Sequence, residues 1–73
     1  MSQLSFSDAK KLTLDRLRQW LNSLPESEKY RPRKIIDFKS YSVNDMIVEV
    51  EKESETGKKI VFDEMKQLGY VVT

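Results

Sequence analysis

Apolar and polar positions along the chain predict a long first helix. Between residues 6 and 24 apolar side chains recur on one broad helical face, with polar ones opposite. Ser5 stands where an N-cap belongs, and Pro25 disfavours helical geometry at the residue before it. We therefore predict a helix from about Phe6 to Leu24, with Trp20 as a core anchor. The apolar face consists of Phe6, Ala9, Leu17, Trp20, Leu21 and Leu24.

The same periodicity predicts two further helices. Ser42 begins the second, and Asp45 completes a capping box with it. The third follows the polar segment "KESETG" and is capped by Thr56 or Ser54. Gly69 fits the left-handed position just past its end. The expected apolar faces hold Val43, Met46, Ile47 and Val50 in the second helix, and Ile60, Val61, Met65 and Leu68 in the third.

Two short apolar runs predict strands, "KIIDF" at 34–38 and "YVVT" at 70–73. We expect them to meet beside the helix pair that lies between them. The predicted fold is mainly α with two short strands. It is a three-helix, helix-turn-helix-like bundle in the order helix, strand, helix, helix, strand, and it forms a single small domain over residues 1–73.

The amino-acid composition excludes several kinds of catalytic and metal-binding site. The 73 residues contain no cysteine and no histidine, which excludes disulfides, Cys/His zinc sites, thiol nucleophiles and histidine catalysis. Two glycines are too few for a phosphate-binding loop. The four-residue spacing of Asp45, Glu49 and Glu53 is typical of a solvated acidic helix face rather than a metal site. We expect no enzyme activity, no cofactor, no metal and no membrane association, and a cytoplasmic location.

Charge is unevenly distributed although the net charge is only +1. Residues 1–39 carry nine basic and five acidic residues, whereas residues 40–73 carry four and seven. The densest basic segment, "KYRPRK", combines cations with an aromatic ring, which suits a nucleic-acid backbone or an acidic protein. Two more lysines begin the third helix. The candidate nucleic-acid-binding residues are Lys29, Tyr30, Arg31, Arg33, Lys34, Lys58 and Lys59.

Residues 42–73 resemble the middle of a winged-helix domain that lacks its wing. The residues that carry the resemblance are the Ser42 cap, the short turn ending at Thr56 and the closure "MKQLGYVV". The resemblance implies a helix-turn-helix scaffold and DNA binding through the third helix. That helix would expose Lys59, Asp63, Lys66 and Gln67, whereas the family's reading helix is usually rich in Arg, Ser, Thr, Asn and Gln.

Two functions fit these observations. The first, which we favour, is a small non-enzymatic protein-interaction or regulatory module that binds a protein partner or a second copy of itself. Its candidate interface comprises apolar residues at the edges of the predicted faces and in the last strand, namely Leu14, Val48, Phe62, Tyr70 and Val72. The second is nucleic-acid binding through residues 29–34. A continuous positive face favours the second function, and interleaved charges favour the first.

Overall fold

The computed structural model describes residues 2–73, and it confirms a mainly helical fold. The helices are α1 (Phe6–Ser23), α2 (Val43–Lys52) and α3 (Glu55–Gln67). A single 3₁₀ turn, Glu26–Glu28, follows α1. The four strands have three residues each and are β1 (Ser2–Leu4), β2 (Lys34–Ile36), β3 (Lys39–Tyr41) and β4 (Tyr70–Val72).

Each helix begins at a serine whose side chain accepts a hydrogen bond from a backbone N–H in the first turn. Ser5 accepts from Asp8, and Ser42 forms the full capping box with Asp45, as the sequence predicts. Ser54, rather than Thr56, caps α3 by accepting from the N–H of Gly57 at 3.0 Å. Because a cap satisfies donors that the helix itself leaves unpaired, the polar segments fix where the helices start.

The three helices contact one another around one core. Its largest fully buried side chain is Met65, and it also includes Tyr41 from β3. Trp20, expected inside, is 41 % exposed and lies beside an open groove in the surface. The buried apolar residues are Ala9, Leu14, Leu17, Tyr41, Val43, Met46, Ile47, Val50, Ile60, Val61 and Met65.

The two predicted strands are present, but they do not meet. β2 pairs with β3 as an antiparallel hairpin, and β4 pairs with β1 in parallel. β1 and β3, each only three residues long and partly polar, were not predicted from the sequence. The hairpin therefore becomes a separate element beside the helices, and the β1–β4 pair joins the two ends of the described chain.

Candidate functional site

The basic segment 29–34 does not present free positive charge. Each of its four cations lies within ion-pair distance of a carboxylate, and Tyr30 between them is exposed. Exposed ion pairs add little stability, yet each carboxylate cancels part of the field that would attract a phosphate. The pairs and their N–O distances are Lys29–Glu26 at 3.1 Å, Arg31–Glu28 at 3.0 Å, Arg33–Glu28 at 3.3 Å and Lys34–Asp63 at 2.5 Å.

The two oppositely charged halves of the sequence interleave in space. Basic residues of α1 reach across to acidic residues of the second half, and Lys34 does the same from β2. The fold therefore brings the +4 and −3 halves together instead of setting them on separate faces. Within residues 2–73, interleaved charges leave no continuous positive face for a nucleic-acid backbone and so favour a protein-interaction function. The pairs formed by α1 are Lys10–Glu53 at 2.9 Å, Arg16–Glu64 at 2.6 Å and Arg18–Glu51 at 3.5 Å.

The lysines at the start of α3 also lie beside acidic groups. Lys59 donates to Asp37 at 2.5 Å, and this carboxylate holds the pKa of Lys59 above its ordinary value. Lys58 is exposed and lies close enough to Glu53 to help lower the pKa of that carboxyl. Asp37 stands in the hairpin turn, so the Lys59–Asp37 pair links the hairpin to α3.

The ion pair between Lys10 and Glu53 gives a testable pH effect. Lys10 is the main cause of the lowered pKa of Glu53. A lowered folded-state pKa means that the pair stabilises the fold above the unfolded-state pKa, and that this contribution is lost as the pH falls through the folded-state pKa. In K10Q we expect the pKa of Glu53 to rise toward its ordinary value, measured by ¹³C NMR of the side-chain carboxyl. K11Q, which leaves the pair intact, is the control, and an unchanged pKa in K10Q contradicts the assignment.

The acidic residues at 45, 49 and 53 each have a partner of their own. Asp45 accepts from the N–H of Ser42, Glu49 accepts from the hydroxyl of Ser54, and Glu53 pairs with Lys10. Within residues 2–73, no three or more acidic side chains are grouped in a way that could hold a metal ion. These carboxylates therefore serve the helix ends and the contact between α1 and the α2–α3 turn.

The apolar candidates separate into exposed and covered residues. Leu14 is only 8 % exposed and belongs to the core, because both α2 and α3 pack against α1, so we remove it from the candidate interface. Val48 and Phe62 are exposed as expected. The ring of Phe62 lies 6.1 Å from that of Phe6, centroid to centroid. Tyr70 and Val72 are half-buried in β4.

The most exposed apolar side chains belong to the hairpin, which the sequence analysis did not select. Ile35 is 74 % exposed, and Phe38 at the turn is fully exposed at 104 %. Because "KIIDF" was read as one strand, the turn at Asp37 and Phe38 was not predicted. The signal in the sequence is Asp37, a residue type common at the first position of such turns, between two short segments that can form strands.

The hairpin turn holds its two central residues in the left-handed region. Asp37 has a φ of 50° and Phe38 a φ of 69°, as a two-residue type I′ turn requires. Asn and Gly are the residues that favour such a turn, whereas a bulky residue there costs about 1–2 kcal/mol. The backbone of Phe38 is thus unfavourable to folding, and its ring, fully in water, gives no burial that would offset the strain.

A groove of about 540 Å³ opens beside the base of the hairpin. Its floor is apolar and comes from Leu17, Met46 and Ile60, while Trp20 stands exposed at its side. This volume lies within the range of ligand-sized pockets. The polar residues that line it are Arg16, Gln19, Arg33, Lys34, Glu64 and Gln67.

In residues 2–73, no helix combines the length and the apolar character needed to cross a bilayer. Comparison with known proteins found no family model, no curated protein and no solved structure that matches this chain.

Proposed function

We propose that this protein is a non-enzymatic protein-interaction module and that the β2–β3 hairpin is its docking element. The observation that carries the proposal is Phe38, a large aromatic side chain held fully in water on a strained backbone. Strained residues that persist against local preference cluster at functional sites. Aromatic side chains are also the residues most enriched where one protein buries itself against another.

The rest of the hairpin supports the same function. Ile35 adds a second exposed apolar side chain on the strand that leads to the turn. Ile36 packs against the core and Tyr41 is buried in it, so the base of the hairpin is fixed. Two exposed ion pairs, Lys34–Asp63 and Lys59–Asp37, add weak contacts between the hairpin and α3. A turn whose backbone is already positioned loses less conformational entropy on binding than a free one.

Nucleic-acid binding, the alternative, has less support. The cations at 29–34 and at Lys59 all have carboxylate partners, and a protein must replace many counterions to bind a phosphate backbone at physiological salt. Enzyme activity has even less support. The pKa shifts of Glu53 and Lys59 arise from exposed ion pairs and not from an apolar pocket, and an apolar pocket is the usual setting of a catalytic acid or base.

A trade-off between stability and binding is the first expected consequence. F38G should raise the free energy of unfolding by about 0.5–1 kcal/mol, because glycine removes the left-handed strain and the lost ring makes no buried contact. F38A, which removes the ring but keeps a Cβ at positive φ, should show no such gain. Urea denaturation followed by circular dichroism measures both. If F38G is less stable than F38A, the backbone at position 38 is not strained.

Docking itself is tested by photo-crosslinking in cells that naturally express the chain. A benzophenone amino acid at position 35 should give protein adducts in the Phe38 background and lose most of them in F38G. The same group at Lys11, an exposed position on α1, controls for random collisions. Equal adduct yields in the two backgrounds, or equal yields at positions 35 and 11, contradict the proposed function.

A further inference from the structure

We infer that the partner of the hairpin is a second copy of this chain, with Phe38 of one copy seated in the groove of the other. This inference rests on the proposed docking function and adds the identity of the partner. Both halves of the contact are present in one molecule, namely an exposed aromatic side chain at the hairpin tip and an open apolar groove at the hairpin base.

The groove is chemically suited to a phenyl ring. Its floor is made of aliphatic and thioether groups, and the exposed Trp20 offers an aromatic partner for a stacked or edge-on contact. Met46 at the floor adapts to aromatic rings because its side chain is flexible and polarisable. The groove volume of about 540 Å³ is large enough to admit Phe38 together with part of the turn that carries it.

Charge at the two surfaces is compatible with the contact. Asp37 precedes Phe38 in the turn, so it arrives at the groove together with the ring. The groove is lined by three cations, Arg16, Arg33 and Lys34, and by one carboxylate, Glu64. Each of these cations already has a carboxylate partner in its own copy, as Asp37 has Lys59, so the attraction between copies is partly cancelled. Because partly exposed ion pairs contribute little, they can exchange partners when two copies meet. The net charge of +1 means that two copies hardly repel one another.

The positions of tip and groove on one hairpin favour a closed dimer. Three strand residues and half a turn separate the groove from Phe38, a distance of roughly 10 Å. Two hairpins lying side by side in opposite directions place each tip near the base of the other. Such a pairing uses the same surface on both copies and closes with two-fold symmetry. The two rings and the groove surfaces that cover them amount to several hundred Å², so we expect a weak dimer with a Kd in the micromolar range.

The sole tryptophan of the chain reports directly on the groove, because it is Trp20. Sedimentation equilibrium of the purified protein, from about 5 to about 500 µM, should show a monomer–dimer equilibrium. Over the same range the emission of Trp20 should shift to shorter wavelength as the ring of the other copy displaces water. F38G should weaken the dimer by at least about tenfold and abolish the emission shift while the protein stays folded.

A disulfide experiment locates the contact, since the chain contains no cysteine of its own. F38C mixed with Q19C, whose side chain lines the groove, should form a mixed disulfide dimer under mild oxidation. F38C mixed with K11C is the control and should form far less.

Three outcomes overturn the inference, namely a wild-type protein that stays monomeric to about 500 µM, a dimer that F38G does not weaken, and a dimer that leaves the Trp20 emission unchanged. If the wild-type protein is monomeric yet the crosslinker at position 35 still yields Phe38-dependent adducts, a different protein is the partner and only this inference fails. If neither signal appears, the docking function fails as well.

Discussion

Replacing Gly57 by alanine is expected to remove most of the stability of this protein. Gly57 lies in the first turn of α3, and a Cβ built on it would stand 2.0 Å from the carbonyl oxygen of Glu49 and 2.9 Å from the backbone nitrogen of Val50. Both atoms belong to the backbone of α2, so no side chain can rotate away to make room. The two helices would have to move apart at this point.

The expected loss in G57A is about 3 kcal/mol or more, from overpacking and from the core contacts that separation breaks. A domain of this size has a free energy of unfolding of roughly 5 kcal/mol, so G57A should keep only about 2 kcal/mol or less and unfold at a much lower urea concentration. Urea denaturation followed by circular dichroism measures the loss, and an amide NMR spectrum shows whether the core persists.

Two matched variants show whether the loss in G57A comes from the close packing at Gly57 or from a general sensitivity of this region to substitution. G69A places its Cβ in open space and loses only about 1 kcal/mol, because its φ of +85° is strained for any residue but glycine. K58A changes an exposed residue beside Gly57 and should stay within about 0.5 kcal/mol of wild type. A G57A protein that unfolds at the wild-type urea concentration contradicts the contact between α2 and α3 described here.

The second large effect is expected at Met65, the largest fully buried side chain. M65A should reduce the free energy of unfolding by about 2–5 kcal/mol, because the lost contacts leave a cavity among three helices that cannot collapse fully. M65L keeps most of the volume and should lose less than about 1.5 kcal/mol. Thermal and urea denaturation measure both variants.

Phe62 gives the matched control for Met65, since it lies on the same helix but is exposed. F62A removes a larger side chain than M65A does, yet within residues 2–73 its only aromatic contact is with Phe6. We expect F62A to lose about 1 kcal/mol, well below the loss in M65A. If F62A proves the more destabilised of the two, the assignment of α3 faces is wrong.

Features set by neighbouring residues could be predicted from the sequence. The serine caps of α1 and α2, the capping box of α2 and the left-handed Gly69 depend on residues a few positions apart, and the structure contains each of them. For α3 the sequence left Thr56 and Ser54 as alternatives, and Ser54 is the cap. The buried face of each helix could also be predicted, because helical periodicity determines on which side of the helix a residue lies. Where the predicted burial of a residue was wrong, the cause was its contacts with other elements.

Trp20 and Leu14 show that reason. Both positions were judged from the apolar stripe of α1 alone, but exposure depends on how far the other elements cover each position. Two helices cover Leu14, while the groove opens beside Trp20. The strand pairing was predicted wrongly for a related reason. β1 lies at the opposite end of the chain from its partner and has no apolar pattern of its own.

The candidate site was only partly predictable. The sequence identified the basic segment but not the carboxylates that neutralise it, since Asp63 is 29 residues away from Lys34. It placed Phe38 in a strand, where an aromatic residue is ordinary. Only the turn geometry shows that the ring is held in water at a strained position.

The parallel pair of β1 and β4 has a consequence for the order of folding. Ser2 aligns with Tyr70, and Leu4 with Val72, so the pair closes a loop that contains nearly the whole chain. The contacts between α2 and α3, and those within the hairpin, join residues close in sequence and close only short loops. Because loop closure reduces entropy more as the loop grows, we expect the β1–β4 pair to form after the helices have brought the chain ends together. The pair would then stabilise a helical bundle that is already assembled.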